Sequence, residues 1–282
     1  MFRQWEIPIM SKFARLLMPA ALAVYLLAAG SVTAQAQPTD ASAGVDFTYG
    51  NVSNSPALIF GGGADTSLIG INLHGHYALG HGLLVGGHLP LAHVRFSDDS
   101  ATSLGNLTGE LNYRLTNGPR NKSWLDTSLS IGTADSNGDG AVAAVTYAIF
   151  AMEDPGKYAP NTTTFRLMYR HYFGEPKLRF EFQGGAQYLA IEDNENVVRL
   201  PIVFGVRAAV GPRLEVIGRF STFWLVNAED NEDDFLHMIE AGVNVLRVGR
   251  GEVQALLYYP LDEIYRDTFE VWGVKIGFTT NI

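Results

Sequence analysis

The stretch Phe165 to Tyr188 limits the possible folds more than any other part of the chain. Before the turn Gly174-Glu175-Pro176-Lys177, the residues Phe165, Leu167, Tyr169 and Phe173 share one parity, and Thr164, Arg166, Met168, Arg170 and Tyr172 share the other. After it, Leu178, Phe180, Phe182, Ala186 and Tyr188 oppose Arg179, Glu181, Gln183 and Gln187. Side chains two positions apart lie on one side of a strand, so this is a β-hairpin with an apolar face and a charged face. In water the apolar face would need a second layer, and no segment supplies one. The same unit recurs down the chain, which predicts an all-β fold: a transmembrane antiparallel β-barrel, apolar side to lipid and polar side to the lumen.

Alternating segments are Gly44 to Val52, Thr66 to Leu79, Gly82 to Arg95, Gly105 to Thr116, Trp124 to Thr133, Thr163 to Phe173, Leu178 to Ile191, Val197 to Ala209, Arg213 to Val226, Phe235 to Val248, Glu252 to Leu261 and Thr268 to Thr280, twelve in all. Short periplasmic turns should alternate with longer outer loops. They do so only if Gly44 to Val52 is the first strand and residues 134–162 form one outer loop; Phe96 to Leu104 is among the other longer connections. Val142 to Met152 is apolar on both parities, with Ala144, Ala148 and Phe150 on one and Val145, Tyr147 and Ile149 on the other. It has no lumen face, so a short helix or hairpin lying across the mouth or folded inward is expected.

The N-terminus carries a second signal. Lys12 and Arg15 precede the apolar run Leu16 to Gly30, and Ala34-Gln35-Ala36 offers small residues for cleavage, so residues 1–36 read as a secretory signal peptide. The run is shorter than the roughly 20 residues of a spanning helix, which disfavours a membrane anchor. Met10 with Ser11-Lys12 is an alternative start. Residues 37–43 would be a short periplasmic segment and residues 44–282 the barrel in the outer membrane of a Gram-negative bacterium. Cysteine is absent, which excludes disulfides and thiolate metal sites.

Charge supports this orientation. The expected outer loops hold Asp98, Asp99, Asp135, Asp139, Glu192 to Glu195 and Glu229 to Asp234, whereas the short turns hold Arg120, Lys122, Lys177 and Arg250 against Glu175. The acidic runs are either solvated loops or divalent-cation contacts beside lipopolysaccharide. Tyr77, Tyr113, Trp124, Phe173, Tyr188, Trp224, Tyr259 and Trp272 sit at strand ends, as interfacial girdles do. Nucleic acid is excluded as a partner by a formal net charge of -9.

Residues equidistant from a tight turn stand opposite each other. Centring each turn on its sequence midpoint sets Arg114 against Asp126, Arg170 against Glu181 and Arg207 against Glu215. A loop symmetric about Asn194 sets Glu181 against Arg207, giving a belt of Arg170, Glu181, Arg207 and Glu215 at the periplasmic end. Such pairs either shape the lumen or meet the solute. Arg166, Arg179, Arg199 and Arg219 lie on the same wall without acidic partners nearby in sequence. They would attract anions and stack on aromatic rings, unless they pair across the lumen with Glu110 or Glu240. His74, His76 and His88 also point inward, His74 opposite His88. They either line the lumen or share a zinc or copper ion, and no carboxylate is fixed beside them by local spacing. No cofactor is expected.

Hydrolase signatures are weak. Asp135-Ser136-Asn137-Gly138 lacks the histidine of barrel phospholipases, His93 near Asp98 is the main rim histidine for a protease, and Gly61 to Gly63 has no strand-to-helix context for phosphate. The last strand, with Lys275, Gly277, Thr280 and Ile282, resembles the C-terminal signal read by the outer-membrane assembly machinery. Leu89-Pro90-Leu91, then Leu104-Gly105-Asn106-Leu107 through Tyr113-Arg114-Leu115, resembles the outer-membrane transporters of phenol meta-degradation pathways. That family has Asp where Asn106 stands here. The resemblance implies passive passage of small organic solutes, aromatic ones among them. A lipid hydrolase and a closed structural barrel are the alternatives.

Overall fold

A computed structural model describes residues 41–52, 66–96, 99–150, 155–192, 196–226, 235–248, 251–262 and 271–281. The expected signal segment 1–36, the Gly61 to Gly63 loop, Asp98 and most of the acidic loop residues lie outside them. The strands are β1 (Ala41–Val52), β2 (Thr66–Gly80), β3 (Leu83–Phe96), β4 (Asp99–Leu104), β5 (Leu107–Asn117), β6 (Asn121–Ile131) and β7 (Thr162–Glu175). The series continues with β8 (Leu178–Ile191), β9 (Val197–Ala209), β10 (Leu214–Leu225), β11 (Phe235–Val248), β12 (Gly251–Pro260) and β13 (Val271–Asn281). Between β6 and β7 the described residues form a helix, α1 (Gly138–Phe150), and a 3-10 turn (Pro155–Lys157).

All pairings are antiparallel, and the sheet closes because β1 pairs with β13 and β2 pairs with both β1 and β3. The result is a twelve-strand barrel with one extra strand. β3 is shared: Leu83 to His88 pair with β5, and Leu91 to Phe96 pair with β4. β4 thus prolongs β5 past a break at Gly105-Asn106. The expected Phe96 to Leu104 loop is corrected here, since Asp99 to Leu104 is strand. Its short polar sequence has little β signal of its own, and the pairing comes from the free upper edge of β3. Residues 41–43, expected as a periplasmic segment, belong to β1, where Ser42 faces His76.

The alternation places apolar side chains outside around the ring. Phe47, Leu111, Phe165, Phe204 and Ile276 are each between 44% and 53% exposed, forming the continuous apolar surface that lipid requires. Tyr77, Tyr113 and Phe173 cluster at the short-turn end, and Tyr188, Trp224, Tyr259 and Trp272 at the long-loop end, all exposed. Trp124 is the exception to the expected girdle. It shares parity with Asp126, points inward, and packs edge-on against Tyr172 at 5.7 Å.

The long-loop half of the lumen is filled. α1 folds inward against β2, β3 and β4, where Ala143 and Tyr147 are fully buried with Leu68, Val94 and Tyr158. Gly70 of β2 makes room for it: a Cβ there would meet the Tyr147 hydroxyl at 1.6 Å. The same apolar cluster reaches Phe223, Leu236 and Tyr258 on the opposite wall. α1 buries Ala143, Ala144, Thr146 and Tyr147 against the wall and leaves Val142 and Val145 about 40% exposed, so its packed face, and not enclosure on every side, holds it in the lumen.

Asn106, completely buried at the β4–β5 break, holds this plug. Its Nδ2 lies 2.9, 2.8 and 3.3 Å from the carbonyls of Gly156, Ala159 and Thr162. Its Oδ1 accepts the N–H groups of Thr133 and Ala134, both at 2.8 Å, and its own N–H donates to the Lys157 carbonyl. The side chain therefore ties both ends of the α1 segment to the wall. Each buried partner left unsatisfied costs about 1–3 kcal/mol. Asn106→Asp, although isosteric, replaces a donor by an oxygen facing three carbonyls. We expect it to release the plug as fully as Asn106→Ala, seen as faster proteolysis within residues 134–161 of an otherwise folded barrel. Wild-type resistance in Asn106→Asp would contradict this latch.

Candidate functional site

The lower half of the lumen, toward the short turns, is polar on nearly every strand because the inward parity carries charged and amide side chains there. For the charged pairs the registers differ from the symmetric-turn expectation by two residues, whereas His74 does stand opposite His88. Asp126 faces Asn112 while Arg114 faces Trp124, and Glu181 faces Tyr172 while Arg170 faces Gln183. Glu215 faces Ala209, and Arg207 faces both Ile217 and Arg179. The expected direct opposition of Arg114 with Asp126, Arg170 with Glu181, Arg207 with Glu215 and Glu181 with Arg207 is therefore corrected. The reason is local: the β7–β8 loop is only Pro176-Lys177, and the β5–β6 hairpin is bulged between Arg114 and Thr116. Moving a turn centre by one residue moves each opposite pair by two, so faces are preserved while partners change.

The ion pairs that form are mostly diagonal. Arg170 contacts Asp126 at 2.7 Å and lies over the Trp124 ring. Arg179 bonds Glu215. Glu181 is the hub, with its side chain wholly buried. Arg207 and Arg219 each approach its Oε2 at 3.4 Å, Tyr172 donates to its Oε1 at 3.3 Å, and Gln183 also bonds it. Arg219 continues to Glu240 at 3.7 Å. The four-residue belt is thus replaced by a network in which Arg170 and Glu215 have other partners.

Gly205 explains how Glu181 and Arg219 meet, since they lie on β8 and β10 with β9 between them. Both stand opposite Gly205. A Cβ on Gly205 would come within 3.1 Å of Arg219 Cγ and 3.2 Å of Glu181 Cβ. Its absence lets the two side chains close over the intervening strand. Buried charges of this kind are stable only when each is paired and hydrogen-bonded.

Of the remaining arginines, Arg199 is fully buried, with its guanidinium 3.8 Å from the Phe223 ring centroid and 3.4 Å from Gln187 Oε1. It sits at the boundary between the apolar plug and the polar band. Arg166 is half-buried and faces Gln187 across β7–β8.

The histidines form a second cluster on the opposite wall. His74 faces His88, and the rings of His74, His76 and His88 lie 5.7 to 6.1 Å apart. Here a carboxylate is present: Glu110 Oε2 lies 2.9 Å from His76 Nε2 and Glu110 Oε1 lies 2.8 Å from His88 Nε2. His74 turns elsewhere, toward Asp46 at 3.4 Å and Thr279 at 3.4 Å. Local spacing missed Glu110 because β5 meets β3 only through the tertiary register; its inward parity with Asn112 was the available sign.

No family model and no curated protein sequence matches the chain. Solved structures share its architecture. The COG4313 outer membrane channel from Pseudomonas putida F1 superposes with a TM-score of 0.62 at 15% identity, over 89% of this chain and 98% of that one. The NanC porin gives 0.54 at 9% identity, over 84% and 100%. The translocator domain of the autotransporter NalP from Neisseria meningitidis gives 0.53 at 8% identity, over 97% of each. A channel, a porin and a translocator on one architecture leave function to be argued from the lumen. What the likeness establishes is the fold, an outer-membrane β-barrel.

Proposed function

We propose that the chain is an outer-membrane channel for passive passage of small organic solutes, anionic or aromatic ones among them, and that it catalyses nothing. The carrying observation is what fills the lumen. Eight strands enclose a space that wall side chains can fill, and twelve enclose more. Here the excess in the long-loop half is taken up by α1, a segment from a loop held by one asparagine latch. A loop can move where a wall cannot, so this is the form of a gate. Below it the arginines offer anion and aromatic contacts: Arg207 lies over Tyr172 at 5.5 Å, and the Arg179 side chain is 34% exposed.

The short-turn end is assigned to the periplasm, and the apolar exterior to membrane lipid, with lipopolysaccharide around the long-loop end. Delivery there by the assembly machinery fits the last strand. The transporters that the Leu89 to Leu115 stretch resembles carry small organic solutes, and the COG4313 protein is itself a channel. A protease reading is not supported by its rim histidine, because His93 has outward parity and bonds Thr102 Oγ1 at 2.8 Å.

Planar-bilayer recordings test the proposal. The folded chain should conduct, and a variant with residues 137–160 replaced by a short Gly/Ser linker should conduct more. Silence from both would identify a closed structural barrel, and phospholipid cleavage by the purified protein would identify a hydrolase.

Glu181→Gln gives a finer test. It leaves Arg207 and Arg219 short of their shared anion, and breaking a buried pair from one side costs about 3–5 kcal/mol. We expect easier unfolding in urea and a several-fold rise in anion over cation permeability. Glu181→Gln with Arg207→Gln should return most of the original selectivity. Equal selectivity in the wild type and the single variant would show that this network does not face the permeation path.

A further inference from the structure

We propose that His76, His88 and Glu110 form a binding site for a divalent transition metal of the zinc and copper class on the β2–β3–β5 wall. One ligand atom from each of the three lies within 4.8 Å of the others. Two imidazole nitrogens and a carboxylate are the donor set that zinc and copper accept, and nitrogen donors disfavour magnesium and calcium. The two nitrogens approach the two oxygens of one carboxylate, so the three groups already converge. A tetrahedral shell with bonds of about 2.0–2.1 Å separates its ligand atoms by about 3.3 Å, so small side-chain rotations admit an ion.

Three features mark the site as built for a ligand. His88 Nε2 is buried and aimed at Glu110 Oε1 at 2.8 Å, on the same carboxylate that His76 Nε2 meets. A divalent cation would take the place of the proton that His88 and Glu110 share. Gly86 stands opposite both His76 and Glu110, and a Cβ there would meet His76 Cδ2 at 2.3 Å and Nε2 at 2.8 Å. The bare backbone is what lets His76 cross β3 to reach β5. Glu110 is 20% exposed whereas the histidine side chains are 1% and 4% exposed. The fourth position therefore opens on the carboxylate side, toward the lumen.

The surroundings orient the ligands. Asn72 Nδ2 donates to Asp46 Oδ2 at 3.2 Å and lies 3.1 Å from His88 Nδ1, so the His88 ring is held in place from behind. The other charge acting on His88 and Glu110 from the loop side is Lys157, beneath the plug. His74, whose nitrogens face Asp46 and Thr279, lies outside the ligand set.

The test uses the full chain folded in detergent, stripped with chelator and dialysed against micromolar zinc chloride with excess magnesium. Metal analysis should find one zinc per chain. Glu110→Gln and Gly86→Ala should lower zinc affinity at least ten-fold, whereas His74→Gln should retain it; heat-modifiable gel migration confirms that each variant is folded. Loading wild-type protein with copper(II) instead should give an electron-paramagnetic spectrum with splitting from two nitrogens, a readout that needs no variant. Substoichiometric zinc, unchanged affinity in Glu110→Gln, or copper coupled to no nitrogen would overturn the proposal. None of these measurements depends on whether the barrel conducts, so the site and the channel reading fail separately.

Discussion

Closing the sheet on itself is the constraint from which the other features follow. Inside a bilayer a backbone N–H or C=O has no water to bond, and an open sheet edge would leave a whole row of them unsatisfied. The pairings of β1 with β13 and of β2 with β3 remove both edges. Closure fixes the number of wall strands, and the number of strands fixes a lumen wider than its own side chains can fill. The chain meets this in two ways: a network of charges and amides at the short-turn end, and an inserted helix at the other.

The polar network depends on residues with no side chain. Adjacent strands are about 4.8 Å apart, so a group reaching the second strand must pass over the residue between. Gly205 is that residue between Glu181 and Arg219, and Gly86 is that residue between His76 and Glu110. His74 likewise crosses Gly44 to reach Thr279. In each case a β-carbon would stand in the path of the longer side chain. Contacts therefore run around the circumference over three strands at a time.

The two halves of the lumen are joined at Asn106. The strand break at Gly105-Asn106 frees a backbone position to accept the returning loop, and the amide then bonds both ends of the plug segment. The same turn that it holds carries Lys157 toward Asp46, His88 and Glu110. A carboxylate at position 106 lacks the donors for this arrangement, so Asn is functionally distinct here from the Asp of the transporters that the stretch resembles.

Periodicity determined what periodicity can. Alternation over Phe165 to Phe173 and Leu178 to Tyr188 specified strands, faces and a lipid-exposed exterior, because side-chain direction in a strand depends only on parity. The apolar double parity of Val142 to Met152 likewise showed a segment with no place in the wall. Partners were beyond its reach. Whether Glu181 meets Arg170 or Arg219 depends on whether the β7–β8 loop holds two residues or four, and on a glycine on the neighbouring strand. Whether His88 meets a carboxylate depends on β5 docking beside β3 after a break that composition does not announce. The sequence by itself determined the architecture and the chemical character of each face; only the tertiary structure decided which charges touch, because register and barrel stagger arise from the closing of the whole ring.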